Sequence, residues 1–425
     1  MNTNQLETFA REARAKLMDL VGRKLEFVQN NKSQVFLDTY PTELRSLDEK
    51  IRKIGKEQVV EMVAYTWFNR FMALRFMDAN GYTSPKVLTP AQGMSNPEIL
   101  QNALAGHIES NLHLNRQRLN DLLDGKTAVV DAQTEVYKML LVAACNSWHT
   151  AMPFMFEHIS DYTELLLPDD LLSNYSIITD IRNGMSDEDC QQEEILGWLY
   201  QFYISSENKR LIKSKKVYTK SELAPASQLF TPKWIVKYMV DNTLGQLWSE
   251  INPATTILKD LEYYIKPTYT DKLTPRPKKK VEDIKFFEPC VGSAHILSYA
   301  FDVFYLMYEE QGYNTSEIPE LIIQNNLFGI DIDERAAQIA SFVLLMKGRR
   351  KNSRFLRKNI TPNISFYQDF ESDPKFQNAK ALGSLIKVEP EDIANFKIEE
   401  GSIFADTQRE LKKLYTLLGQ KYDCV

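Results

Sequence analysis

The sequence has 425 residues, 44% of them hydrophobic and 11% aromatic, too many for one ordinary domain and enough to bury two or three cores. Its 51 Lys and Arg against 57 Asp and Glu leave a net charge of -6. That excludes a polycation, so any nucleic-acid contact must come from local basic patches or from parts outside these residues. Cys145, Cys190, Cys290 and Cys424 lack C-x-x-C spacing, which argues against a zinc site or a disulfide framework and for a reducing, cytoplasmic setting.

The first residues, MNTNQLETFAREARAKL, contain no apolar signal core. Up to about Asn208 the apolar residues recur three and four apart, which predicts a helical domain over 1–208. The clearest stretch is VVEMVAYTWFNRFMALRFMDANGY, where Val59, Met62, Val63, Trp67, Phe71, Leu74 and Met77 fill a broad stripe and Gly81 supplies the helix end. The most apolar run, MLLVAACNSWHTAMPFMF, is interrupted by Asn146, His149 and Pro153 and reads as a buried helix rather than a membrane span. EEILGWLYQFYI, Glu193 to Ile204, is a further helix of packing aromatics.

Residues 209–227 are polar, basic and without periodicity, and read as a linker. In LFTPKWIVKYMVDN, Thr231 is positioned to cap a helix whose first residue is Pro232. TPRPKKK, ending at Lys280, reads as an exposed connection. Beyond Val281 short apolar runs alternate with helical ones: IKFFEP, SAHILSYAFDVFYLMYEE, NNLFGIDID, ERAAQIASFVLLMKGRR and ISFYQDF. Such alternation predicts a doubly wound parallel sheet over 228–425, with the ligand at the carboxyl ends of its strands. Glu288, Asp331 and Asp369 then share one edge.

The loop after the first strand, FFEPCVGSAHIL, is not a dinucleotide fingerprint, because Gly292 is its one glycine and Ser293 and Ala294 follow. An acid at the strand end is unhelpful beside phosphate and suits a cationic ligand. S-adenosylmethionine meets that need, since it carries an ammonium, a sulfonium and a ribose but no phosphate. Asp331 is placed to accept from the ribose hydroxyls, Ile332 to pack on adenine, and Asp369 with Phe370 to meet the adenine amine. Asp333 reads as the cap of the next helix. A single acid of this kind also reads as a cap or a loop carboxylate; three at successive strand ends argue for a site. Cys290 reads as a small core-filling residue rather than a nucleophile, His295 as a packing or capping residue, and KGRRKNSRFLRK, Lys347 to Lys358, as a solvated helix end or a phosphate contact.

QLFTP, EPCVGSAHIL and LFGIDIDERAAQIA, in that order, resemble the motifs of the gamma-type amino DNA methyltransferases. AYTWFNRFMALRFMDANGY, MPFMFEHISDYTELLLPDDLL and GWLYQFY are similar to the helical N-terminal region of the PglX-type adenine-specific methyltransferases of BREX phage-defence systems. The resemblance covers nearly the whole chain. It implies an α-helical N-terminal domain, then an incomplete Rossmann-like S-adenosylmethionine-dependent methyltransferase domain. It also implies N6-adenine methylation of double-stranded DNA, by which host DNA is told from phage DNA, and no metal. The cofactor residues it implies are Phe230, Thr231, Pro232, Glu288, Pro289, Gly292, Ser293, Asp331, Ile332, Asp369 and Phe370. Glu288 stands for the family's aspartate and Ala294 for its last glycine.

That family activates the exocyclic amine with [N/D/S]-P-P-[Y/F/W], whose oxygens accept the amine hydrogens while the aromatic stacks on the flipped base. The tetrapeptide does not occur in the 425 residues, and QKYDCV at the end resembles the strand that precedes it. The expectation is an N-terminal fragment without catalytic residues and inactive alone, whose DNA recognition lies mainly in a C-terminal part. Two other readings remain: a scaffold that docks other BREX components or a phage inhibitor protein, and the modification subunit of a restriction system.

Overall fold

The computed structural model describes residues 2–31, 33–127, 129–157, 159, 162–214, 216–228, 231–268, 276–398 and 405–425. It is mostly helical, with one small parallel sheet of three strands. Two compact units divide the chain, Met1–Tyr203 and Ile204–Val425. Among the described residues no helix is long and apolar enough to cross a membrane.

In the first unit α1 (Thr3–Asn30) buries Leu6, Ala10, Ala13, Leu17, Val21, Leu25 and Val28, the three-and-four spacing of one helix face. That face packs on α2 (Lys56–Ala79) and on α4 (Ile177–Gly184), which follows α3 (Ala132–Ser147) in the chain. Gly184 permits the second contact, since a Cβ there would lie 2.2 Å from the Phe9 ring. Helix α2 is buried on almost every side from Val59 to Asp78 and is the core element of the unit. It ends as Gly81 predicts. Gly81 has φ +65°, its amide donates to Asp78 O at 3.1 Å, and Tyr82 N donates to Met77 O at 2.8 Å, so the last carbonyls are satisfied.

Asp78 then organises the segment that follows. Its fully buried carboxylate accepts from Thr83 Oγ1 and from the amides of Val87, Leu88 and Thr89 at 2.5–2.9 Å. Arg75, one turn earlier, donates to Met185 O, Thr89 Oγ1 and Asp187 Oδ1. A buried carboxylate with four donors is satisfied, so burial does not leave it orphaned.

Helix α5 (Glu194–Ser214) contains the division between the units. The stretch read as a linker, 209–227, is largely helical: α5 runs through Ser214 with Leu211 buried, and α6 (Lys220–Ser227) begins at a reciprocal capping box of Thr219 and Glu222. Such a box satisfies the orphan donors of a first turn locally, without an apolar stripe to reveal it. Asn208 Nδ2 donates to Pro225 O at 2.7 Å and ties the two helices together.

In the second unit β1 (Phe286–Glu288), α8 (His295–Glu310), β2 (Leu327–Asp331), α9 (Glu334–Lys351) and β3 (Asn363–Phe366) follow α7 (Lys233–Val240). The strands lie in the order β1-β2-β3, all parallel, with Glu288 opposite Gly329 and Asp331 opposite Phe366. Helices α8 and α9 pack on β2. Phe287, Phe328 and Ile330, alternate residues on the strands, form a core with Tyr367, Phe370 and residues of α10 (Ala405–Gly419). The other edge of β1 is also used. Phe287 N donates to Cys424 O at 2.9 Å, Cys424 N reaches Lys285 O, and Phe286 and Cys424 form a parallel bridge. Lys279 Nζ and the Lys285 amide hold the Asp423 carboxylate at 2.8–2.9 Å. The spatial order is thus Cys424, β1, β2, β3.

Asn69, midway along α2, is 2% exposed, and neither atom of its amide has a hydrogen-bond partner among the described residues. A buried amide without partners costs about 1–3 kcal/mol. Replacing it with the similarly sized Leu is expected to raise the unfolding free energy in urea by roughly 1–2 kcal/mol. A loss of stability would show that the amide is satisfied.

Candidate functional site

The site residues come from the loops that leave β1 and β2. At β1 the chain turns through Glu288, Pro289, Cys290, Val291, Gly292 and Ser293 into α8. Val291 N donates to Ile330 O at 3.0 Å, which lays this loop across the end of β2. Gly329 makes that approach possible: a Cβ there would lie 2.9 Å from both Val291 Cγ2 and Ile364 Cδ1. Gly292 has φ +51° with open space where a Cβ would be, so its backbone faces an unobstructed approach. Ala294 also adopts the left-handed conformation, φ 64°, at the start of α8, and its methyl is fully buried. A glycine conformation is therefore kept at 294 with the methyl packed in protein.

Asp331 joins the two loops. Its Oδ2 accepts from Gly292 N and its Oδ1 from Asp333 N, both at 2.8 Å. Each carboxylate oxygen keeps a further lone pair for a ligand hydroxyl. Burial pushes the Asp331 carboxyl up, with the Asp333 carboxylate adding to the rise and the amide donors opposing it. The Glu288 carboxyl is pushed up to about 7, chiefly by burial and further by Asp331, against a bond from Cys290 N. Two acids that resist ionisation side by side make an environment that favours a cation and opposes a phosphate.

Asp333 caps α9 as predicted, accepting from Arg335 N at 3.0 Å and pairing with the Arg335 guanidinium. Ile332 and Pro289 are half-buried, and Ser293 is buried. Three expectations change. Thr231 is not the cap of α7; the cap position is Pro232, whose extended backbone (φ -55°, ψ 143°) sets the helix one residue later. Phe370 is buried in the core, edge-on to Phe376, and is not free to meet a ligand. Cys290 is exposed rather than core-filling; partial desolvation by its surroundings and two neighbouring carboxylates push its thiol up, the reverse of an activated nucleophile. Asp369 accepts from Lys380 N at 2.9 Å, at the first turn of the short helix Ala379–Leu382, so one of its oxygens is engaged there. Phe230 lies outside the described residues.

Two residues at this edge were not anticipated. Tyr367, directly after β3, donates its amide to Asp331 O at 2.8 Å; burial, with Cys290 and Asp331 nearby, pushes its hydroxyl up to about 12. Gly329 is the other. A glycine inside a strand is a recognised sign of close backbone approach, but the partner that approaches is visible only in the fold.

A parallel strand-helix unit thus carries a glycine loop across its central strand and two neighbouring acids at the strand ends, a chemistry compatible with a cation. No family model matches the chain. It is 35% identical over 414 residues to the adenine-specific methyltransferase BrxX of Escherichia coli O9:H4 (strain HS), covering 88% of this chain and 33% of that protein. It is 32% identical over 418 residues to the adenine-specific methyltransferase PglX of Lacticaseibacillus casei (strain Zhang), covering 86% and 34%. The chain is a homologue of these BREX adenine methyltransferases and spans about a third of the length of the curated relatives it matches.

The Glu288 carboxyl gives the site a measurable pH signature. It titrates near 7 when folded and near its ordinary 4.5 when unfolded, so between these values the folded chain holds more protons. Stability contributed by this group therefore falls as pH rises through that window. Relative to the parent, Glu288→Gln is expected to gain stability from about pH 4.5 to about 7, by roughly 2–3 kcal/mol, and no more above it. Urea unfolding at a series of pH values checks this; a difference that stays flat with pH would refute it.

Proposed function

We propose that this chain is the S-adenosylmethionine-binding part of an adenine-specific DNA methyltransferase of the BREX phage-defence type, acting at the N6 amine of adenine in double-stranded DNA. In this reading residues 1–208 are a helical N-terminal domain, 209–227 connect it, and 228–425 are the cofactor-binding half of a Rossmann-like class I methyltransferase domain. The observation that carries the reading is the Asp331 carboxylate, held by the amides of Gly292 and Asp333 at the carboxyl end of the central strand, with Glu288 beside it. The spatial order Cys424, β1, β2, β3 supports it as well. Strand order reverses at β1, and in open parallel sheets the ligand crevice lies at that reversal.

The residues fit the cofactor. Asp331 retains acceptor capacity for two ribose hydroxyls, and Ile332 offers an apolar surface to adenine. The open Gly292 backbone admits the methionine moiety. Glu288, reluctant to ionise alone, becomes an anion beside an ammonium. Thr231 and Pro232, with Phe230, are assigned to the wall that precedes the strands. Asp369, which accepts from the Lys380 amide, is assigned to the adenine amine, and Phe370 supports it from within the core. The bound cofactor brings a methyl group made electrophilic by its sulfonium. These residues hold and orient it; activating an adenine amine needs acceptors of the N-P-P-Y kind, which do not occur among the 425 residues.

Calorimetric titration with S-adenosylmethionine is expected to show one site, with affinity rising between pH 6 and 8 as Glu288 gives up its proton. Asp331→Ala should weaken it about tenfold or more, the loss of charge-assisted bonds to the ribose. Binding unchanged in that variant would refute the assignment. The same chain, given labelled cofactor and an adenine-containing duplex, is expected to transfer no methyl group; turnover would place the amine acceptors among these residues.

A further inference from the structure

The chain carries a concentrated positive charge that the cofactor site does not use. Lys347 to Lys358 contains seven Lys and Arg in twelve residues and no acid, within a chain of net charge -6. Part of it is spent internally. Lys347 pairs with Asp302 at 2.7 Å, Lys358 pairs with Glu320, and Arg349, Arg350 and Lys351 sit in the last turn of α9, where cations complement the helix dipole. Arg354 and Arg357 lie beyond the helix, on and beside the 3-10 turn Phe355–Lys358. Both are exposed, and neither has a carboxylate partner among the described residues. Lys351 is likewise exposed, its Nζ 4.1 Å from the centre of the Tyr305 ring.

The two basic arms are held together by the fold. Phe355 packs so closely on α9 that a Cβ at Gly348 would come within 2.5 Å of its ring. Asn352 N donates to Gly348 O, Phe355 N donates to Asn352 O, and Asn352 Nδ2 donates to Ser316 O at 2.8 Å. A charged segment needed only for solubility has no reason to be anchored by a glycine-aromatic contact. Its place is also defined. Helix α9 starts at the carboxyl end of β2 and returns toward the start of β3, so the cluster lies at the sheet edge opposite Asp331, about 25 Å away along the helix.

We propose that the end of α9 and the turn after it, with Arg354 and Arg357 at their centre, contact the phosphate backbone of duplex DNA away from the base that is methylated. Arginine suits this because its planar fork meets phosphate oxygens with paired bonds. Such a contact adds affinity without sequence information and leaves base reading to other parts. The choice of DNA as partner rests on the proposed function, and the position of the surface does not.

The test is fluorescence anisotropy of a labelled duplex of mixed sequence against the full chain, over a range of salt. Salt-dependent binding by the parent is expected. Arg354→Glu with Arg357→Glu should weaken it about tenfold or more and lower the slope of log affinity against log salt by about two, one per lost phosphate contact. Lys397→Glu with Lys412→Glu, exposed positions with the same change in net charge, should have little effect. No binding by the parent, no loss in the arginine pair, or an equal loss in the lysine pair would overturn the proposal. Displacement of the duplex by polyglutamate at equal charge would assign the surface to an acidic polypeptide and overturn it too. S-adenosylmethionine titration of the arginine pair, expected to match the parent, separates failure here from failure of the cofactor site.

Discussion

The bond from the Gly292 amide to the Asp331 carboxylate is the constraint on which the strand-end site depends. It fixes the loop after β1 to the end of β2, and Val291 N to Ile330 O repeats the tie one residue earlier. Neither bond forms unless the loop lies flat across β2, which requires the bare backbone of Gly329. Residues of two separate segments thus set one geometry: a glycine that lets the loop down, a carboxylate two residues on that holds it, and a distant second glycine whose left-handed backbone leaves the approach open. The cost is electrostatic. Asp331 is half-buried near Glu288, and both carboxyls resist ionisation. A site held at that cost favours a cation that relieves it, and it penalises phosphate-bearing nucleotides, whose charge would add to the repulsion.

The sheet makes the same point from topology. Crossovers through α8 and α9 take the chain from β1 to β2 to β3 in one direction, and residues 422–424 then return to the free side of β1. The Asp423 carboxylate, gripped by Lys279 and by the Lys285 amide, fixes this return in register. The order reverses at β1, and Glu288 stands at the carboxyl end of that strand. Packing supports the arrangement from the other face, where Phe287 and Phe328 meet Tyr422, and Phe376 meets Tyr415 of α10.

Local chemistry made some of this legible in the sequence and left the rest unseen. Gly81 as a helix end and Asp333 as a cap are decided within a few residues, and the structure has both. The three strands and two crossover helices were readable because each buries nearly everything it carries, so apolar runs mark them. The helices within 209–227 were not, because a capping box and one buried leucine replace the periodic stripe that identifies a helix. Phe370 and Cys290 exchanged their expected surroundings for a related reason. Whether a residue after a strand turns into the core or out of it depends on what packs there, and Phe376 and α10 come from later in the chain. Alternation of strands and helices located the acids in order, but it could not say that Asp369 would accept from the Lys380 amide.

Charge is distributed along the helices of the second unit in a way that a random surface does not require. Helix α9 begins at the acidic strand ends and finishes in the densest cationic segment of the chain. Its own dipole favours an acid at the first end and cations at the second, which accounts for Asp333 and for the last turn. The dipole fades within one turn, however, and Arg354 and Arg357 lie past it. Something other than helix stability holds them there, and the Gly348-Phe355 contact that anchors them serves no part of the cofactor site. One helix thus separates the acidic strand ends from the cationic segment, and its length screens the charge of one from the other: about 25 Å exceeds two screening lengths at physiological salt.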